Sequence, residues 1–251
     1  MNARGTIFFA ILMPWGRVGS NLVCATLSQT PGVSVDNEPT TRIRTEGHRN
    51  GLCRAEVAKQ QSTQLEEFVD THAGVTPVAG LKLSHRSLVE PESYLLQLRE
   101  HGFKLVTMTR GNHLKAAISQ LRAQERATQM TGEWNSPWAV RAEEPKPGPA
   151  SIDIEKAIRL TAIFAKMEAS LEKSVESVFE GIALRIEYEE LASDPVETIE
   201  LIFGYLGLVA PETIALRYRK ATSDRLSDDI CNYAEFEAAV EAAGYSHFLE
   251  P

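Results

Sequence analysis

Thr6-Ile7-Phe8-Phe9-Ala10-Ile11-Leu12-Met13, then Pro14-Trp15-Gly16-Arg17-Val18-Gly19-Ser20-Asn21, then an apolar segment of helical period from Leu22 to Leu27: this stretch decides the fold. An unbroken apolar run of this kind reads as a strand buried on both faces, as in a parallel sheet. The turn after it carries Gly16 and Gly19, and the segment after the turn reads as a helix. A strand, a glycine-containing loop and a helix place backbone N–H groups and a helix N-terminus where an anion can sit. Arg17 adds a full positive charge. A second short strand, Val33-Ser34-Val35, follows and ends in Asn37-Glu38-Pro39. An anion cradle with a carboxylate at the end of the next strand is a layout for transferring a group from a nucleotide to an acceptor.

The loop differs from the common nucleoside triphosphate loop, G-x-x-x-x-G-K-[ST], in which a lysine reaches the outer phosphates and a hydroxyl binds magnesium. Here Ser20, not lysine, follows Gly19, and the cation, Arg17, comes before that glycine. Such a loop is poorly suited to Mg-ATP but can hold a phosphate-type group. Read as residues alone, it is equally a glycine-bearing turn that joins a core strand to a helix.

Further strands are expected at 78–83, 104–109 and 182–186, each short, apolar and bounded by polar or turn residues. Helical segments fit at 20–29, 53–72, 91–101, 112–127, 152–178 and 195–206, with Asp194-Pro195 as a helix start and Gly207 as a stop. Alternating strands and helices predict an α/β chain of P-loop type, a three-layer fold whose central parallel sheet of about five strands is flanked by helices. A single domain over 1–251 is expected. Two proline- and glycine-containing stretches, 37–52 and 132–151, read as irregular acceptor or lid segments, and 210–251 reads as a helical C-terminal segment.

Composition narrows the classes. The 251 residues carry a net charge of −8, which argues against a nucleic-acid partner, since that requires a basic face. Cys24, Cys53 and Cys231 are too scattered for a metal set or a disulfide framework. The apolar run at 6–13 is too short to span a bilayer, so no transmembrane segment and a cytoplasmic location are expected.

A second charged site follows the fourth strand: Thr109-Arg110-Gly111-Asn112-His113, then a helix that contains Ser119. In an open α/β sheet the carboxyl ends of the strands line the ligand crevice. Arg110 is therefore expected on the same rim as Arg17, and two arginines with a helical serine suggest two anionic groups on one ligand. His85, closing Gly80-Leu81-Lys82-Leu83-Ser84-His85, ends a strand on that rim as well. Arg42, Arg44, His48, Arg49 and Arg54 form a local basic cluster that reads either as a solvated loop or as an attractor for an anionic acceptor or nucleotide. Trp134 and Trp138 offer faces for a sugar ring or caps for a core edge.

Together these stretches resemble sulfotransferases that use 3′-phosphoadenosine 5′-phosphosulfate (PAPS). The first loop resembles their 5′-phosphosulfate loop, and Arg110 with Ser119 resembles their 3′-phosphate motif. Arg185-Ile186-Glu187-Tyr188-Glu189-Glu190-Leu191, Asp194-Pro195 and Leu206-Gly207-Leu208 resemble the YE-x-L, DP and LGL stretch of carbohydrate sulfotransferases. In flavour the chain is most similar to the bacterial trehalose 2-sulfotransferase family, to which Asn37-Glu38-Pro39, Ala117–Ala123 and Thr131-Gly132-Glu133-Trp134 add support. Gly111 and Asn21 depart from the pattern, standing where many relatives have a charged and a hydroxyl residue. The resemblance implies a PAPS donor held by Gly16, Arg17, Val18, Gly19, Ser20 and Asn21 at the 5′ end, and by Arg110 and Ser119 at the 3′ end. It implies a carbohydrate or glycolipid hydroxyl as acceptor, with Glu38 as the general base and His85 the runner-up, and no metal. A P-loop small-molecule kinase and a non-catalytic nucleotide-binding protein of the same fold remain the alternatives.

Overall fold

The computed structural model describes residues 5–129 and 138–249. Thr131–Trp134 and the first part of the 132–151 stretch lie outside the described residues. In chain order the elements are β1 (Ile7–Met13), α1 (Ser20–Leu27), β2 (Val33–Asn37), α2 (Pro39–Arg49), α3 (Arg54–His72), β3 (Val78–Ser84), α4 (Pro91–Glu100), β4 (Lys104–Thr109) and α5 (His113–Gln129). They continue with β5 (Val140–Arg141), α6 (Ile154–Phe179), β6 (Leu184–Glu187), α7 (Tyr188–Ser193), α8 (Pro195–Leu206), β7 (Tyr218–Arg219) and α9 (Tyr233–Ala242). The chain is α/β, with a central five-stranded sheet of order β2-β3-β1-β4-β6, parallel at every pairing and flanked by helices.

By its contacts the chain divides into two compact units, Met1–Thr109 with Met167–Ala215, and Arg110–Lys166 with Leu216–Pro251. The first unit holds the sheet. Side chains alternate along a strand, so Ala10 and Leu12 of β1, Ala79, Leu81 and Leu83 of β3, and Leu105 of β4 line one face. They pack with Leu65 and Phe68 of α3, Leu95 and Leu98 of α4, and Leu171, Val175 and Phe179 of α6 into one buried cluster. Phe8 stacks on Phe103 at its edge, with ring centroids 5.1 Å apart.

The opposite face carries Phe9, Ile11 and Met13, with Gly80 paired to Phe9 across the β1–β3 ladder. A Cβ on Gly80 would lie 2.1 Å from Phe9 Cζ, so the fully buried ring of Phe9 occupies the space that a side chain at position 80 would need. Gly80→Ala should therefore destabilise the fold by about 1–3 kcal/mol, the cost of overpacking a tight core. Urea denaturation measures this, and Phe9→Leu in the same chain should recover part of the loss. A Gly80→Ala chain as stable as the parent would show that the ring can move aside freely.

The second unit contains α5, the paired β5 and β7, and α9. Asn112 caps α5, its Oδ1 accepting from Lys115 N at 2.9 Å while its Nδ2 donates to Phe248 O at 2.9 Å. Arg122 is buried in this unit and donates to the carbonyls of Asp229, at 2.8 Å, and of Gly148.

Two segments differ from the expectation. The 37–52 stretch is not irregular but contains α2. Pro39 occupies the first helical turn, where a missing N–H costs nothing, and so starts the helix rather than breaking it. Gly47 inside α2 is a packing glycine: a Cβ there would sit 2.7 Å from Val57 Cγ2. Among the described residues of the 210–251 stretch the α-helix is confined to α9, and residues 210–232 form β7, turns and a 3₁₀ turn at Leu226–Asp228.

Candidate active site

The loop after β1 contains two residues with left-handed backbone. Arg17 has φ 66°, uncommon for a residue with a side chain, and Gly19 has φ 79° as the N-cap of α1. Gly19 is also crowded: a Cβ would lie 2.5 Å from Leu191 Cδ2 and 3.4 Å from Tyr188 Cδ2. The loop therefore rests on α7, and the Tyr188-Glu189-Glu190-Leu191 motif supplies the two side chains beneath it. No side chain caps α1. Leu22 N and Val23 N donate to Gly19 O, at 2.9 and 3.3 Å, so the N–H groups at the very start of the helix, those of Ser20 and Asn21, are the ones that can face an anion. Gly16, Val18, Ser20 and Asn21 complete this turn; Ser20 is buried, its Oγ 3.1 Å from Met13 Sδ.

Glu38 closes β2 with φ 50° and is the N-cap of α2. Its N–H donates to Lys82 O at 2.9 Å, which ties the strand end to β3. Its Oε1 lies 2.9 Å from Lys82 Nζ, and its Oε2 accepts from Thr41 Oγ1 at 3.2 Å. Lys82 Nζ also donates to Asn21 Oδ1 at 2.5 Å. The lysine is 5% exposed, and it joins the helix that follows the glycine-containing loop to the carboxylate at the end of β2. Thr41 Oγ1 in turn shares a 2.8 Å hydrogen bond with Ser87 Oγ.

Lys82 received no role from the sequence. The signal that could have found it is a lysine inside the otherwise apolar strand Val78–Leu83, because a buried charge needs a partner. Below this pair Cys24 is held as a thiol, pushed up to about 12 chiefly by burial, with the Lys82 charge opposing the shift and Glu38 adding to it.

His85 belongs to a 3₁₀ turn at His85–Ser87 and is 6% exposed, with Nε2 3.2 Å from Ser174 Oγ of α6. Burial lowers its pKa to about 4, so it stays neutral at neutral pH and is a weak base. These surroundings suit a packing histidine better than a proton acceptor.

Arg110 and Ser119 both belong to the second unit and are each 5% exposed, Arg110 in the residue after β4 and Ser119 inside α5. Lys220 of that unit pairs with Asp224 at 2.5 Å. Trp138 is 43% exposed, and Trp134 lies outside the described residues. Among the described residues no cluster of His, Cys, Asp or Glu is arranged to hold a metal ion, and no helix is long and apolar enough to cross a membrane.

No family model and no curated protein matches the chain. Among solved structures it is similar to a sulfotransferase from Alicyclobacillus acidocaldarius, with 17% identity, 95% of each chain covered and a TM-score of 0.49. It is also similar to the sulfotransferase domain from the curacin biosynthetic pathway, with 13% identity, 82% of this chain and 76% of that one covered and a TM-score of 0.46. A third likeness is to the sulfotransferase domain from the Synechococcus PCC 7002 olefin synthase, with 15% identity, 97% and 88% coverage and a TM-score of 0.42.

Proposed function

We propose that the protein transfers the sulfuryl group of PAPS to a hydroxyl of a carbohydrate or glycolipid acceptor. The observation that carries this reading is the Asn21–Lys82–Glu38 chain, which sets a carboxylate beside a loop whose left-handed Arg17 and Gly19 suit it to an anion. The lysine-free loop sequence and the motifs around Arg110 and Tyr188 support the same donor.

In the proposed reaction the acceptor oxygen attacks sulfur in line with the 5′-phosphate leaving group. The bond from sulfur to the bridging oxygen breaks as the new S–O bond forms. The acceptor proton passes to Glu38, and 3′-phosphoadenosine 5′-phosphate departs. As in phosphoryl transfer, the protein positions the groups and neutralises charge. The N–H groups at Gly19, Ser20 and Asn21 hold the 5′-phosphate, and Arg17 meets the charge that grows on the bridging oxygen. Arg110 and Ser119 are assigned the 3′-phosphate from their motif. The scheme calls for no metal.

Calorimetry tests the donor. The chain should bind 3′-phosphoadenosine 5′-phosphate without magnesium, and Arg110→Ala should weaken that binding by about 1.5–3 kcal/mol, as for a lost charge-assisted hydrogen bond. Adenosine 5′-phosphosulfate, which lacks the 3′-phosphate, should bind parent and variant alike. Equal parent affinity for ligands with and without the 3′-phosphate would overturn the Arg110 assignment. Preference for Mg-ATP would favour the kinase reading.

A further inference from the structure

Two arginines flank the anion loop on the side of α2. Arg86, in the 3₁₀ turn after β3, is fixed by its N–H to Pro14 O at 3.0 Å. Its guanidinium carbon stands 4.0 Å from the centroid of the Trp15 ring, in the loop itself. Arg44 of α2 donates from Nη1 to the carbonyl of Arg86. Thr41, which bonds both Glu38 and Ser87, lies on the same face of α2 as Arg44, three residues earlier. The arginine pair therefore sits about one helical turn, roughly 5 Å along the axis, from the residue that bonds the Glu38 carboxylate.

Both arginines are exposed, and among the described residues neither has a carboxylate within salt-bridge distance. Three arginines against one glutamate on α2 make a local positive surface in a chain of net charge −8. Burial and the Arg44 charge both lower the Arg86 pKa, so the two cations meet without relief from within. An arginine stacked on an aromatic ring and steadied at its backbone presents its fork in a defined direction, the arrangement that suits a planar or tetrahedral oxyanion.

We propose that Arg44 and Arg86, with Trp15 beneath, form the anion-binding subsite of the acceptor, so that the hydroxyl to be sulfated belongs to a molecule with its own carboxylate, phosphate or sulfate group. The subsite rests on the reading of Glu38 as the acceptor-side base, and it names the acceptor as acidic. A neutral sugar would leave the arginine pair unused.

The test is a calorimetric titration of the full chain, with and without saturating 3′-phosphoadenosine 5′-phosphate, using glucuronate, glucose 6-phosphate and glucose as probes. Both anionic probes should bind at least about tenfold tighter than glucose, a difference of about 1.4 kcal/mol. Arg44→Met and Arg86→Met should each remove most of that margin, and Arg86→Lys should restore part of it. Nucleotide affinity should stay unchanged in all three. Equal or absent binding of the anionic probes and glucose by the parent chain overturns the subsite without any variant having to fold. So does a preference that survives in the double Arg44→Met, Arg86→Met chain. The arm without nucleotide reads the arginines alone, so failure of nucleotide binding would remove the donor reading and still leave the subsite scored.

Discussion

Glu38→Gln should bind 3′-phosphoadenosine 5′-phosphate as the parent chain does and lose turnover by about 10²–10⁴-fold, the usual worth of a positioned general base. A sugar hydroxyl is a poor nucleophile until its proton is taken, and Glu38 is the carboxylate that Lys82 joins to Asn21, at the start of the helix after the glycine-containing loop. The amide keeps the size and one acceptor oxygen for Lys82 or Thr41, so the local structure should survive while basicity is lost. His85→Asn is the matched control. His85 is buried, with its Nε2 3.2 Å from Ser174 Oγ, so its replacement should affect packing against Ser174 more than turnover. If single-turnover assays found Glu38→Gln near parent activity and His85→Asn inactive, with both folded by circular dichroism, the proton acceptor would be His85.

Arg17→Ala should lower kcat by about 10²–10³-fold, the scale of losing one donor to charge that develops in the transition state. Donor affinity should fall far less. Charge reaches the bridging oxygen only as the S–O bond breaks, so a residue that meets it contributes to kcat more than to ground-state binding. Arg17→Lys should recover part of the rate if point charge matters more than fork geometry. Because Arg17 holds φ 66°, Arg17→Asn serves as the backbone control, since asparagine tolerates that conformation and carries no charge. It should be as slow as Arg17→Ala and at least as stable. A raised KM for the donor as the sole defect would assign Arg17 to uniform binding instead.

The sheet was legible because parallel strands buried on both faces are continuous apolar runs. β4 falls on the expected 104–109, β1 and β3 differ from their expected runs by one residue at an end, and β2 runs on to Asn37, two residues past Val35. β6 begins two residues late, after Gly181 turns the chain with φ 82°. What escaped was set by tertiary contacts. Pro39 and Gly47 read as breakers in isolation, yet one opens α2 and the other lets it approach Val57. Lys82 received no role from the sequence, because its partners are distant along the chain, 61 residues away at Asn21 and 44 at Glu38. The motif Tyr188–Leu191 could be matched to a family pattern, but its packing under Gly19 follows only from the fold. The polar 210–232 stretch carries little periodic apolar pattern, so composition alone could not separate helix from turn there.

The most direct test of sulfuryl transfer is a single-turnover reaction with sulfur-labelled PAPS in magnesium-free buffer, run against a panel of neutral and acidic carbohydrate acceptors and read by mass detection of the product. Label should move to an acceptor hydroxyl, one 3′-phosphoadenosine 5′-phosphate should form per sulfated product, and Glu38→Gln should bind the donor yet move no label in the same time. Tight donor binding with no transfer to any acceptor would mark the chain as a nucleotide-binding protein. Transfer by Glu38→Gln at the parent rate would contradict the account of the site.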